Sequence, residues 1–179
     1  MTKEYLFAGF GGQGLLFSGK VLAYKGLIEE KNVSWLPSYG PEMRGGTANC
    51  SVILSDDPVG APIVLNPDVL VAMNLPSLDK YEDAVREGGY IFVDSSLVER
   101  KVNRTDVEVH YVPATKLASE NGAPTLANMI LMGKLLTVLN DYNEETVTAA
   151  LEKCISARHA DMKDLNRKMM EIGKNYIEE

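Results

Sequence analysis

Two cysteines and two histidines among 179 residues leave this chain little from which to build a metal or redox centre. Cys50 and Cys154 are far apart and belong to no C-x-x-C pair, which excludes an iron–sulfur cluster or zinc site assembled from this chain alone. His110 and His159 are isolated as well, and His110 sits inside the run Val109-His-Tyr-Val112, where it reads as an ordinary sheet histidine. Positive charge is in short supply: 18 Lys and Arg face 25 Asp and Glu, for a net charge of −7. That balance, with a pI near 4.9 and no basic cluster, speaks against nucleic acid as a partner. Long hydrophobic runs are missing too. The longest, Met129 to Leu139, is interrupted by Lys134 and is too short to span a bilayer, so no membrane role is expected. The opening Met-Thr-Lys-Glu-Tyr has no signal-peptide form, and a reducing cytoplasm is the expected location. A hydrophobic fraction of 45% beside 24% charged residues is that of a folded globular chain rather than a disordered one.

Glycine is where the sequence concentrates its information. The stretch Tyr5-Leu-Phe-Ala-Gly-Phe-Gly-Gly-Gln-Gly-Leu-Leu-Phe-Ser18 is an apolar run that breaks into glycines and resumes with helical periodicity, so it reads as strand, tight loop, helix. Gly9, Gly11 and Gly14 satisfy G-x-G-x-x-G, and Gly12 adds a fourth glycine. Such a loop can bring backbone amides and a helix N-terminus up to a phosphate or carboxylate. A second reading stands beside it. Leu15, Gly19, Leu22 and Gly26, flanked by Leu16, Ala23 and Leu27, form a stripe of alternating large and small residues, and glycines there serve close packing on a sheet. A dinucleotide site would further require an acid at the end of the second strand. That strand, near Val33-Ser-Trp-Leu36, runs into Pro37-Ser38, while Glu29 and Glu30 belong to the preceding helix end, which counts against NAD.

Further along, Ser38-Tyr-Gly-Pro-Glu-Met-Arg-Gly-Gly-Thr47 has the make-up of a shaped loop, with Gly-Pro and Gly-Gly bracketing Glu42-Met43-Arg44. In an α/β sheet the end of the second strand is expected beside the loop after the first, on the edge where ligands bind. Strands are expected at 48–54, 69–73, 90–93 and 107–112, with Asp94 capping the turn after one of them. Helices are expected through Leu78 and Tyr81, from Thr125 to Leu139, after an Asn143 cap, and after Asp161. Met129, Met132, Met162, Met169 and Met170 read as core filler. The alternation gives an α/β fold: a single Rossmann-like domain over residues 1–179 with a largely parallel sheet and C-terminal helices.

Three stretches, Gly9-Phe-Gly-Gly-Gln-Gly14, Ser38 to Cys50, and Asn74-Leu-Pro-Ser-Leu78, together resemble the gamma subunit of a 2-oxoacid:ferredoxin oxidoreductase, and the form of Glu42-Met43-Arg44 is closest to the 2-oxoglutarate type. The resemblance implies a share in cleaving a 2-oxoacid with transfer of the acyl group to coenzyme A. It places thiamine diphosphate, magnesium and iron–sulfur clusters in alpha, beta and ferredoxin-like (delta) partner subunits, with ferredoxin reached only indirectly. No cofactor is expected to be held by this chain alone, and the isolated chain is expected to be inactive, with a homodimer as its state without partners. Coenzyme A, brought over the active site, gives the glycine loop a ligand. The site is then expected at Gly9, Gly11, Gly12, Gln13 and Gly14, with Arg44 as a charged donor and Tyr39 and Glu42 beside it. A purely structural subunit, or a free-standing nucleotide-binding protein, are the alternatives.

Overall fold

The apolar run that begins the sequence becomes the middle of a six-stranded sheet. The computed structural model describes residues 1–38 and 48–179. Strands β1 (Thr2–Gly9), β2 (Asn32–Ser38), β3 (Ala48–Ser55), β4 (Val69–Ala72), β5 (Tyr90–Asp94) and β6 (Glu108–Val112) lie in the order β2-β3-β1-β4-β5-β6. The pairings β1·β4, β4·β5 and β5·β6 are parallel, while β3 runs against both β1 and β2, so the sheet is mostly parallel with one reversed strand. Successive side chains on a strand leave by opposite faces, and the core divides accordingly. Tyr5, Phe7, Val69, Val71 and Phe92 pack beneath helices on one side. Leu6, Ala8, Leu70, Ala72, Ile91 and Val93 pack on the other, with Leu78 and Val98.

The helices are α1 (Leu15–Ile28), α2 (Leu75–Tyr81), α3 (Ala114–Glu120), α4 (Ala127–Val138), α5 (Glu144–Cys154) and α6 (Ala160–Asn175). Helix α4 is buried on almost every side because it lies between the sheet and α6. There Gly133 and Gly173 let two backbones meet: a Cβ on Gly133 would strike the Met170 carbonyl, and one on Gly173 the Ile130 carbonyl. Asn143 caps α5 as expected, its Oδ1 accepting from the amides of Glu145 and Thr146 at 3.0 and 3.1 Å. Asp94 is fully buried and accepts from Ser96 N, Thr115 N and Thr115 Oγ1, which ties the end of β5 to the start of α3. Met129, Met132, Met169 and Met170 are in the core. His110 stacks on Phe92 with its ring nitrogens against Glu108 and Glu178.

Several expectations are corrected. The end of β2 does not adjoin the loop after β1, because β3 is inserted between them; both strand ends nevertheless share one edge of the sheet, since Gly9 pairs with Ala48 and Ser38 with Asn49. Pro37 lies within β2 rather than beyond it, which an edge strand tolerates because one side of its ladder needs no donors. Leu27 is exposed instead of joining the packed stripe of α1. Lys25, unnoticed in the sequence, is buried to 1% exposure beneath Glu29 and Asp141, with Nζ–O distances of 2.7 and 2.9 Å.

Candidate functional site

The glycine stretch builds the site from the backbone. Strand β1 ends at Gly9, and the chain turns through Gly12 (φ 87°) and Gly14 (φ 75°), left-handed conformations that a side chain would resist. Gly14 is the N-cap of α1. Having no side chain, it offers the first-turn amides of Leu15, Leu16 and Phe17 no cap, these amides have no capping acceptor among the described residues, and no acidic residue lies in that turn. A pocket of about 300 Å³ opens over these groups, lined by Phe10, Gly11, Gly12, Gly14, Leu15, Leu16, Phe17 and Ala48. The positive end of a 14-residue helix therefore faces a concave, glycine-walled space.

Two side chains hold the loop in shape from behind. Gln13 Oε1 accepts from Phe10 N at 2.6 Å and its Nε2 donates to Met73 O at 3.0 Å, so both ends of its amide are engaged within the protein. Asn128, in the first turn of α4, donates from Nδ2 to Gly14 O and to Ser18 Oγ, each at 3.1 Å. The structure thus brings together Gly9, Gly11, Gly12, Gln13 and Gly14, with Gln13 as an internal brace of the loop. Tyr39, Glu42 and Arg44 lie outside the described residues. Asn128 escaped sequence reasoning, because it is 114 positions from Gly14 and looks like any polar residue near a helix start. Packing also accounts for part of the glycine content, as the second reading held. A Cβ on Gly19 would meet Cys50 and Trp35, and one on Gly26 would meet Leu54 Cδ2 at 2.5 Å.

Neither cysteine lines this pocket, and neither is poised as a nucleophile. Burial pushes the Cys50 thiol up to about 12 and the Cys154 thiol to about 11, so both stay protonated at neutral pH. Among the described residues no group of His, Cys, Asp and Glu is placed to hold a metal ion. No helix of the described chain is long and apolar enough to cross a membrane.

Residues 4–176 match the pyruvate ferredoxin/flavodoxin oxidoreductase family. The chain belongs to that family. Its relatives include ketoisovalerate oxidoreductase subunit VorA of Methanothermobacter thermautotrophicus, 38% identical over 96% of this chain but only 36% of that protein. Another is 2-oxoglutarate synthase subunit KorC of Methanocaldococcus jannaschii, 38% identical over 84% of this chain and 82% of the relative. The chain therefore spans about a third of the length of the VorA relative and most of the KorC one. The gamma subunit of a keto/oxoacid ferredoxin oxidoreductase from Geobacter sulfurreducens has the same fold, with a TM-score of 0.82, 29% identity and 96% of each chain covered. Membership in the oxidoreductase family agrees with the expectation from the three motif stretches, and the α/β fold with that from the alternating strands and helices.

Proposed function

We propose that this chain is the gamma subunit of a multi-subunit oxidoreductase that converts a 2-oxoacid, coenzyme A and oxidised ferredoxin to acyl-CoA, carbon dioxide and reduced ferredoxin, and that its glycine loop holds a phosphate of coenzyme A. The observation that carries the ligand is the N-terminus of α1, uncapped among the described residues, opening onto a glycine-walled pocket in a chain that belongs to this family. First-turn amides suit a pyrophosphate oxygen, and a space of about 300 Å³ suits the phosphate end of the coenzyme rather than the whole molecule. Arg44 supplies the fixed positive charge that the helix terminus lacks, with Tyr39 and Glu42 on the same segment. In sequence these residues stand between Ser38, the last of β2, and Ala48, the first of β3 and a residue of the pocket wall.

Thiamine diphosphate, magnesium and the clusters belong, in this reading, to alpha, beta and ferredoxin-like subunits, and this chain by itself turns over no 2-oxoacid. Exposed apolar residues support docking to such partners. Phe10, Leu75 and Leu97 follow β1, β4 and β5 respectively, Leu75 as the first residue of α2, so the ends of three neighbouring strands offer apolar side chains at the edge that carries the glycine loop. In isolation that surface pairs with a second copy, which light scattering would register as a dimer. The unpaired thiols of Cys50 and Cys154 fit a cytoplasmic home. For the substrate we favour 2-oxoglutarate, from Glu42-Met43-Arg44 and the KorC likeness. Ketoisovalerate is the second reading, favoured by the larger share of this chain matched by VorA. Assay of the assembled enzyme on both oxoacids and pyruvate decides among them.

Gly11 provides the test of the ligand site. An added Cβ there meets nothing within 4 Å among the described residues and the backbone is not left-handed, so the described fold accepts a side chain. Gly11→Asp in the assembled enzyme should raise the coenzyme A KM by roughly ten- to hundredfold, because a carboxylate then faces the phosphate, while decarboxylation is spared. Arg44→Ala should weaken coenzyme A by about 1.5–3 kcal/mol, the range of a charged hydrogen bond. An intact complex with unchanged coenzyme A KM in both variants would return the glycine loop to a packing role.

A further inference from the structure

Asn128 sits 4% exposed between α4 and the glycine loop, and its hydrogen bonding is lopsided. Nδ2 makes two bonds, to Gly14 O and Ser18 Oγ, while Oδ1 is buried with no partner among the described residues. Neither bonded group depends on it. Gly14 O already accepts from Ser18 N at 3.0 Å, as the N-cap carbonyl of α1 should. The Ser18 hydroxyl, four residues on, is able to turn to Gly14 O itself, a common habit of serine in helices. An orphaned buried acceptor costs stability, and an apolar side chain of similar shape would avoid that cost. The asparagine is thus poorly accounted for as a stabilising residue.

Its position accounts for it better. A Cβ built on Gly14 would lie 2.5 Å from Asn128 Nδ2, so the amide rests flat against the Gly14 α-carbon and leaves only glycine room there. Its bond to Gly14 O fixes the peptide that turns the chain into α1, and with it the direction of the Leu15 and Leu16 amides that line the pocket. Gln13 fixes the other end of the loop through Phe10 N and Met73 O. The loop is therefore clamped at both ends by side-chain amides from behind the surface that a ligand would touch.

We infer that Asn128 is a positioning residue that holds the glycine loop in its anion-binding geometry, at the expense of fold stability; the inference rests on the reading of that loop as the coenzyme A phosphate site. Pre-set amides bind an anion without first being ordered, which is where the affinity arises. Asn128→Leu keeps the shape and removes the clamp. Asn128→Asp removes the donor and adds negative charge behind the pocket.

The test uses the assembled oxidoreductase, with coenzyme A affinity measured by calorimetry in the absence of turnover, alongside KM, kcat, thermal midpoint and hydrogen exchange at residues 10–17. Asn128→Leu should weaken coenzyme A by about three- to tenfold, the worth of one neutral hydrogen bond, with the thermal midpoint unchanged or raised. The loop amides should exchange faster, and kcat at saturating coenzyme A should be retained. Asn128→Asp should weaken binding further, and the added loss should shrink as salt rises. Should the aspartate variant fail to assemble, the leucine variant and its exchange rates still decide the matter. A lowered thermal midpoint with unchanged coenzyme A affinity in Asn128→Leu would make Asn128 a stabilising residue and overturn the inference. Unchanged affinity in Gly11→Asp would overturn the parent reading instead, so an Asn128→Leu null beside a Gly11→Asp effect removes this inference alone.

Discussion

Alanine at Gly133 should cost stability, although the same change in an exposed helix would add it. Glycine is the poorer helix former by about 1 kcal/mol, so Gly133→Ala starts with that gain. Against it stands the crossing of α4 and α6, where the new methyl group points at the Met170 carbonyl and the neighbouring backbone on α6. A clash with a flexible side chain can be relieved by a change of rotamer, but one with backbone can only part the helices. Overpacking of that kind belongs near the top of its usual range, about 3 kcal/mol, leaving a net loss of about 2 kcal/mol after the propensity gain. For a chain of this size such a loss lowers the thermal midpoint by roughly 4–8 °C. Gly173→Ala should behave alike against Ile130, and the double variant should cost less than the two together, because the first methyl opens the crossing where the second acts. Denaturant and thermal unfolding of the purified chain measure all three. A rise in midpoint for Gly133→Ala, or strict additivity in the double variant, would refute the account of α4 and α6 as helices in backbone contact.

Two further outcomes follow from charge. Lys31 and the N-terminal ammonium hold the Asp56 carboxyl at about 2, below its ordinary 3.8. The unfolded chain thus takes up this proton first, the stabilisation is complete above about pH 4 and is lost as pH falls toward 2, and Asp56→Asn should flatten the pH dependence of the thermal midpoint in that window. Lys25→Met should lower stability by about 2–3 kcal/mol at neutral pH. That is below the 3–5 kcal/mol typical of a broken buried pair, since Glu29 and Asp141 retain some access to water. An unchanged denaturation midpoint would show that the buried ammonium contributes nothing net.

What the amino-acid sequence determined by itself is everything that depends on local pattern. The strand–loop–helix at Tyr5–Ser18, the buried strands at 69–72 and 90–94, the Asn143 cap and the mostly apolar helix from Ala127 are set by periodicity, turn residues and capping chemistry within a few positions. The motif stretches were likewise legible enough to point to the oxidoreductase family. Tertiary structure alone decided how these pieces meet. Nothing local told β3 to insert itself antiparallel between β1 and β2, because an apolar strand is equally able to pair on either side. Nothing near Lys25 in the sequence marks it as buried, and it is the turn just after α4 that brings Asp141 to share it with Glu29. Gly133 and Gly173 are unremarkable one at a time, and only the crossing of their helices makes them necessary. Asn128 and Gly14 come together for the same reason: a hydrogen bond across 114 residues is paid for by packing α4 against the sheet, and no short window of sequence contains both partners.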